Sequence, residues 1–138
     1  MNMDEVDYRI IDILEENAKL SFKEIGERIH MTGQAVGMRV NRLIQEGVIE
    51  GFTIKTNKEK QGIQVIALIK IYMKVLEHQK MLQFIESTDE IVEAYKTSAD
   101  CCYFLKVETT GNKALNHILD KINEFANYQL TLSIKKIK

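Results

Sequence analysis

The sequence predicts an α+β protein: a helix-turn-helix domain of winged-helix type, then a ferredoxin-like βαββαβ domain with an antiparallel sheet. Apolar residues recur at helical spacing before about residue 46, whereas strand and helical spacings are mixed after about residue 64. The elements of the second half follow in the order βαββαβ, which is the split βαβ arrangement. A polar stretch separates the two patterns. We therefore expect a DNA-binding domain over residues 1–56, a connector over 57–63 and a second domain over 64–138.

The first part contains three predicted helices with a tight turn before the third. Asp4 can cap the first helix, a serine–glutamate capping box begins the second at Ser21, and Thr32 can cap the third. Gly47 can end that helix, and Val48–Ile54 is expected to form a strand. This order is typical of a helix-turn-helix. The stripes expected to be buried are Val6, Ile10, Ile13 and Leu14, then Phe22, Ile25 and Ile29, then Val36, Val40, Leu43 and Ile44.

The second part alternates strands and helices. Its predicted strands are Val65–Val75, Ile91–Thr97, Cys102–Thr109 and Tyr128–Ile137, and its predicted helices are His78–Glu86 and Asn112–Phe125. Apolar residues occur on both strand faces, as at Leu68 with Ile69 and at Phe104 with Leu105. Both helices should cover one face of such a sheet, so the other face would expose an apolar patch. Pairing with a second copy covers that patch, and we expect a homo-oligomer.

Composition and motifs narrow the class of protein. The apolar stretches are far shorter than the roughly 20 residues that span a bilayer, and the acidic start is unlike a secretory signal. A cytoplasmic protein is therefore expected. Cys101 and Cys102 are adjacent and form no CxxC pair, and no HxxxH, HExxH, GxSxG or P-loop spacing occurs. We accordingly expect no enzyme activity, no catalytic or metal-binding residue and no cofactor.

The charge distribution bears on nucleic acid binding. A formal net charge of -1 argues mildly against it, because phosphate contacts need positive charge. Between residues 28 and 45, however, there is no Asp or Glu, and three arginines lie in that window. If the third helix enters the major groove of double-stranded DNA, an outward amide can bind adenine, an arginine can bind guanine or phosphate, and helix starts favour phosphate. The residues assigned to DNA binding are Ser21, Thr32, Gln34, Ala35, Met38, Arg39 and Arg42.

Structural explanations for the same residues stay open. Arg39 could pair with Glu15 or Glu16 within the domain and orient the helix instead of contacting DNA. Helix capping accounts for the two hydroxyl residues without any phosphate. If the arginines do read DNA, Arg39→Ala and Arg42→Ala should weaken binding and leave thermal unfolding nearly unchanged.

Several motifs extend the interpretation to a family. They are Asp4–Asp7 ahead of Ile10–Leu14, Leu20–Gly26, Thr32–Val36, Arg39–Leu43 and Glu46–Ile49. In this order they resemble the Lrp/AsnC, or feast/famine, family along nearly the whole chain, and the LrpC-like subgroup of bacilli most. The resemblance implies a transcriptional regulator whose C-terminal domains pair sheet to sheet into dimers. Such dimers often assemble into tetramers or octamers, and many members bind amino acids between these domains.

The resemblance also implies an effector site in a loop of the second domain. The corresponding residues here are Ser98, Ala99, Asp100 and Cys102. Family members commonly have glycine at the position of Ala99 and aspartate at that of Cys102. Asp100 could supply the carboxylate, although a shift of two strand positions moves it by about 7 Å. An ordinary β-turn explains Ser98 and Asp100 equally well.

Three functions are compatible with these motifs and with the family resemblance. The leading one is a sequence-recognising regulator that acts as a homo-oligomer and responds to an amino acid. The alternative is a ligand-independent architectural protein that bends or wraps DNA, which the altered loop favours. The third is a ligand-binding or enzymatic ferredoxin-like domain with a helical appendage, and the missing catalytic set argues against it.

Overall fold

The computed structural model describes residues 2–98 and 100–138. It divides into two compact units, Met1–Lys55 and Thr56–Lys138. The first unit consists of helices α1 Glu5–Glu16, α2 Phe22–Ile29 and α3 Gly33–Gln45. The second consists of β1 Val65–Met73, α4 His78–Ser87, β2 Ile91–Lys96, β3 Tyr103–Thr109, α5 Asn112–Asn123 and β4 Ala126–Leu132, after one 3-10 turn at Glu59–Gln61.

Local hydrogen bonds fix where the three helices of the first unit begin. The Asp4 carboxylate accepts from the Asp7 amide at 2.9 Å, and the Asp7 carboxylate accepts from the Asp4 amide at 3.0 Å. Ser21 and Glu24 form the same reciprocal box, at 3.2 and 2.7 Å. The Thr32 hydroxyl caps α3. The three predicted helix starts are confirmed.

The turn between α2 and α3 depends on close backbone contact. A Cβ atom on Gly26 would collide with the carbonyl oxygen of Met31, and one on Gly33 would lie 3.0 Å from the amide nitrogen of Lys23. His30 ends α2 in the left-handed region, at a φ of 58°. The two helices approach so closely that a side chain at either glycine must displace backbone atoms.

An apolar cluster joins the three helices. Its buried members are Ile10, Leu14, Ile25, Ile29, Val36 and Val40. Two residues expected in this core are exposed instead, Phe22 and Ile44. The ring of Phe22 packs against Gly37, whose added Cβ would lie 3.0 Å from it, so α3 offers no large side chain to cover it there. Ile44 lies at the edge of the buried stripe of α3, where helical spacing defines burial least sharply.

The segment after α3 differs from its prediction. Val48 and Ile49 both donate their amides to the carbonyl of Leu43, and Gly47 adopts a φ of 72°, so these residues close the helix. Within residues 2–55, which the structure describes, there is no strand for Val48–Ile54 to pair with. The predicted strand over Val48–Ile54 is therefore wrong, because alternating apolar residues do not themselves supply a ladder partner.

The second unit is a four-stranded antiparallel sheet in the order β2-β3-β1-β4. The predicted antiparallel sheet, the order βαββαβ along the chain and both predicted helices are confirmed. The last strand is shorter than expected: β4 pairs with β1 from Ala126 to Leu132, and Ser133 makes a final bond to Ile66. Residues beyond it extend past the start of β1. The core between sheet and helices is Ala67, Ile69, Ile71, Met81, Tyr103, Leu105, Val107, Leu115, Ile118, Leu119, Ile122 and Ala126.

The other side of the sheet, which we call the open face, is not covered by α4 or α5. Strand alternation and register place Leu68, Lys70, Phe104, Gln129 and Thr131 on it. They are half-buried or exposed and line a shallow hollow of about 200 Å³. Around this hollow, the expected uncovered face presents two large apolar side chains, Leu68 and Phe104, among polar ones.

The close turn predicts an asymmetry between two glycines. Gly26→Ala should destabilise the protein by ~1–3 kcal/mol, because the new methyl group meets a backbone carbonyl that cannot rotate away. Urea unfolding followed by far-ultraviolet circular dichroism measures this change. The control is Gly51→Ala, where an added Cβ meets nothing within 4 Å and the shift should stay within about 0.5 kcal/mol. Equal effects at the two positions would contradict the prediction.

Candidate nucleic-acid interface

The outward surface of α3 is the candidate for contact with DNA. Val36, Val40 and Leu43 are buried and define its inner side. On the opposite side lie four exposed residues without charge, which we call the outer stripe. They are Gln34, Met38, Asn41 and Gln45. Met38 is 69% exposed, in the middle of this stripe. Gln34 and Met38 are therefore exposed on α3 as expected, whereas Asn41 was not predicted. Its signal is a position about two helical turns beyond Gln34 and about one turn beyond Met38.

Between these two sides, the arginines of α3 bind a buried carboxylate, and we call the group the Asp7 cluster. The side chain of Asp7 is 0% exposed. Arg39 Nη1 lies 2.8 Å from Asp7 Oδ1 and 2.8 Å from both carboxylate oxygens of Asp4. Arg42 Nη2 lies 2.6 Å from Asp7 Oδ2. The cluster joins the start of α1 to the middle of α3.

Hydrogen bonds and opposite charges stabilise the ionised carboxylates of this cluster. Burial is the largest single influence on Asp7 and raises its pKa, but the Asp4 amide, the Arg39 hydrogen bond and the charge of Arg42 together outweigh it and lower the pKa. The hydrogen bond from Arg39 lowers the pKa of Asp4 as well. Those same bonds to Asp4 and Asp7 raise the pKa of Arg39. Two positive and two negative charges therefore balance, and the cluster offers DNA little net attraction.

This geometry indicates a structural role for Arg39 and Arg42, and their expected contact with DNA stays a prediction. Arg39 is 26% exposed and Arg42 45%, and each guanidinium is bonded to Asp7. The expected alternative was an ion pair of Arg39 with Glu15 or Glu16, but its partners are at the other end of α1. Both arginines are positioning residues that hold α3 against α1. Their removal should therefore affect unfolding, contrary to the earlier expectation.

The starts of α2 and α3 lie side by side. Ser21 and Thr32 each use the hydroxyl to accept an amide of their own helix, and Ala35 is half-buried in the first turn of α3. The closest approach joins Gly33 to the backbone of Lys23, whose side chain is exposed. Sequence analysis missed Lys23, although its place in the first turn of α2, next to the capping serine, could have indicated it. Two positive helix ends and one cation thus share a surface.

The expected effector loop lies in the second unit. Ser98 and Asp100 are exposed, and Cys102 is held by its amide, which donates to the backbone of β1 at 2.8 Å. The Asp100 carboxylate lies 3.6 Å from Lys70 Nζ. Ala99 lies outside the described residues. The structure therefore places the one carboxylate of this loop beside a lysine of the open face.

Two hollows in the described part of the second unit, residues 56–98 and 100–138, have no lining residue among Ser98, Asp100 and Cys102. One is the hollow of the open face. The other, of about 670 Å³, lies between α4 and α5 and includes Phe84 and His117 in its lining. Among residues 2–98 and 100–138, no group of three His, Cys, Asp or Glu side chains is arranged to hold a metal ion. No helix in that part of the chain is long and apolar enough to cross a membrane.

Comparison with known families agrees with the two-unit architecture. The model of the AsnC-type helix-turn-helix domain matches residues 3–44, and that of the Lrp/AsnC ligand binding domain matches residues 66–138. The chain belongs to the Lrp/AsnC family. This confirms the family resemblance, and α3 is the recognition helix of an AsnC-type helix-turn-helix.

Individual members of the family refine the comparison. The chain is 41% identical over 138 residues to the HTH-type transcriptional regulator LrpB of Bacillus subtilis. The alignment covers 100% of this chain and 93% of LrpB. LrpC of the same organism is 25% identical over 126 residues, covering 91% of this chain and 88% of LrpC. Sequence identity is thus higher to LrpB than to the LrpC that names the expected subgroup.

Solved structures agree with the fold. The structure of B. subtilis LrpC has a TM-score of 0.94 at 24% identity and covers 100% of this chain and 99% of that one. A transcriptional regulator of Neisseria meningitidis, solved as its L-Met complex, has a TM-score of 0.91 at 20% identity and covers 99% and 93%. At these identities the likeness establishes the α+β fold of the family.

The Asp7 cluster predicts acid sensitivity. Both carboxylates have a lowered pKa in the folded state, so they stabilise it above their ordinary pKa of about 3.9 and lose that contribution as pH falls through the lowered value. Asp7→Asn should cost ~1.5–3 kcal/mol at neutral pH and flatten the decline of stability in acid. Urea unfolding between neutral pH and about pH 3 measures both.

Two variants accompany this test. Arg39→Ala should also destabilise the protein, because it removes a partner of the buried carboxylate. Asp12→Asn is the control: Asp12 is exposed on the same helix, and its change should stay within about 0.5 kcal/mol. If the free energy of unfolding of Asp7→Asn falls with decreasing pH as steeply as that of the unaltered protein, protonation of Asp7 does not contribute to the acid sensitivity.

Proposed function

We propose that the protein is a transcriptional regulator that binds double-stranded DNA with α3 in the major groove. The observation that carries this proposal is the exposed outer stripe of α3 on a matched helix-turn-helix. The name of LrpB, a transcriptional regulator at 41% identity, supports it. Chromosomal DNA as the partner implies action in the cytoplasm, and no chemical reaction is required of the chain.

Phosphate contact in this proposal comes from the starts of α2 and α3. Lys23 supplies a cation, while Ser21 and Thr32 mark the positive ends of the two helices. Because Arg39 and Arg42 are neutralised by aspartates, each unit brings few charges to the backbone. Useful affinity then requires several units bound together.

We propose that the open face supplies this association by pairing with the open face of a second copy. Leu68 and Phe104 would be removed from water, and a two-fold pair would offer two recognition helices to a roughly palindromic site. Family resemblance extends this to tetramers or octamers. A dimer is the minimum that the proposal needs.

An amino acid is the proposed effector. The matched ligand binding domain spans residues 66–138, and the Neisseria relative was solved with L-Met. The proposed contacts are Ser98, Ala99, Asp100 and Cys102, with Asp100 accepting the ammonium group of the ligand in place of Lys70. If the effector changes the affinity for DNA by favouring one assembly, DNA must change the affinity for the effector by the same factor.

A second candidate is an architectural protein that bends or wraps DNA without a ligand. Two observations favour it. Asp100 is already paired with Lys70, and the two hollows of the second unit do not reach this loop. Insensitivity of DNA binding to every amino acid would distinguish it from the effector-controlled regulator.

If the protein binds DNA as proposed, its affinity for duplex DNA should depend on the salt concentration. The purified protein should bind a fluorescent fragment of its own upstream region in the presence of competitor DNA, with affinity falling as salt rises. Lys23→Ala should weaken binding to all sequences and reduce the salt slope by about 1. Fluorescence anisotropy with and without a mixture of amino acids measures both effects. Lys113→Ala, on α5, is the control and should leave binding unchanged; absence of binding at low salt would overturn the proposal.

The pairing of open faces predicts a change of mass. Phe104→Glu should convert the assembly toward smaller species and weaken DNA binding, because a carboxylate would be buried without a partner in the interface. Light scattering after size-exclusion chromatography measures the mass, and circular dichroism checks that the chain stays folded. Leu82→Glu, an exposed apolar position on α4, should not alter the mass. A folded Phe104→Glu protein of unchanged mass argues for another interface.

A further inference from the structure

We infer that α3 recognises A·T base pairs through uncharged side chains and that Asn41 is a specificity-determining residue, together with Gln34 and Met38. This inference rests on the proposed DNA binding. The observation behind it is the separation of α3 into the outer stripe, which has no charge, and the arginine side, which is bound to Asp7.

Helical geometry puts the three side chains on one line. With 3.6 residues per turn, they fall within a sector about 60° wide, opposite the buried residues of α3. The rise from Gln34 to Asn41 is about 10.5 Å, at 1.5 Å per residue. That distance corresponds to about three base-pair steps of 3.4 Å. A helix lying along the groove can therefore present the three side chains to successive base pairs.

The chemistry of these side chains selects A·T pairs. A carboxamide donates to N7 of adenine and accepts from its N6 amino group, a paired contact that the other bases do not offer in the same pattern. Gln34 and Asn41 take part in none of the side-chain hydrogen bonds found within residues 2–98 and 100–138, so both ends of each amide are available. The exposed thioether of Met38 can contact the methyl group of thymine.

Arg39 and Arg42, the side chains of α3 that could contact guanine, are bound to Asp7 and do not lie on this surface. Arg39 would have to abandon the fully buried Asp7 in order to reach a base, which leaves a charge without its partner. Arg42 shares that carboxylate. The Asp7 cluster therefore affects specificity indirectly. It keeps away from the groove the two groups of α3 that form the strongest contacts with G·C pairs.

Atomic substitution in DNA tests the assignment. Duplexes are first selected from a random pool with the full-length protein, and each adenine of a half-site is then replaced by 7-deazaadenine. This base keeps its Watson–Crick pairing but lacks the N7 acceptor. At one adenine the affinity should fall about 5- to 100-fold. Asn41→Ala should show a similar loss on the natural duplex and no further loss from 7-deazaadenine at that position.

A matched pair of changes tests Met38. Replacing thymine by uracil removes only the methyl group, and Met38→Ala should abolish the sensitivity to that replacement at one position. Gln45→Ala is the control, since Gln45 is the last residue of α3 and lies about 6 Å beyond Asn41 along the helix axis. It should leave both sensitivities intact. The substituted residues are exposed, so equal thermal unfolding of all variants is expected.

The outcomes separate this inference from the function on which it rests. Salt-sensitive binding in which Asn41→Ala keeps full sensitivity to 7-deazaadenine at every adenine would overturn the inference alone, as would selected half-sites dominated by G·C pairs. Failure to retain any duplex at low salt would overturn the proposed function itself. Loss of sensitivity at a single adenine in Asn41→Ala, with Gln45→Ala unchanged, would support the assignment of Asn41.

Discussion

The first unit depends on one buried carboxylate. Asp7 is inaccessible to water, and an ionised carboxyl group in that position is tolerated only when hydrogen bonds and opposite charges replace its hydration. Asp7 obtains them from three directions: the amide of Asp4 within its own cap, and the guanidinium groups of Arg39 and Arg42 on α3. The same side chain therefore starts α1 and fixes the rotation of α3 about its own axis. An apolar core alone would determine that rotation less closely, because dispersion and burial are not directional.

That rotation decides what the helix can offer to DNA. With Arg39 and Arg42 directed at α1, the side opposite the core is left to amides and a thioether. Amide side chains form directional hydrogen bonds with bases but do not attract phosphate over a distance, whereas arginine side chains do both. A recognition surface of this kind gains little from non-specific binding to phosphate, which agrees with a net charge of -1. It also makes the proposed association of several copies a requirement for affinity and not merely a property of the family.

Features that depend on nearby residues could be predicted from the sequence, whereas features that depend on distant partners could not. Helix starts at Asp4, Ser21 and Thr32 depend on partners three residues away, and the order of strands and helices along the second unit depends on local periodicity, so both were predicted correctly. The partner of Arg39 is 32 to 35 residues distant, and nothing in the sequence distinguishes the aspartates at the start of α1 from glutamates at its end. The segment at Val48–Ile54 was predicted wrongly for a related reason: strand formation requires a neighbouring strand, and residues 2–55 contain none. The exposure of Gln34 and Met38 could accordingly be predicted from helical spacing, whereas the distant carboxylate partners of Arg39 and Arg42 could not.

Asp7 of the first unit and Asp100 of the second differ mainly in burial, and this difference suits the first to a structural role and the second to regulation. Asp7 cannot exchange its partners without exposing a charge to the interior, so its contacts persist. Asp100 is 67% exposed, and its pair with Lys70 at 3.6 Å contributes little, since water can replace either partner. Under the proposed effector binding, the ammonium group of an amino acid can therefore take Asp100 at small cost. Lys70, released onto the open face, then alters the charge of the surface proposed to join two copies, and ligand occupancy becomes linked to assembly by a single exchangeable ion pair.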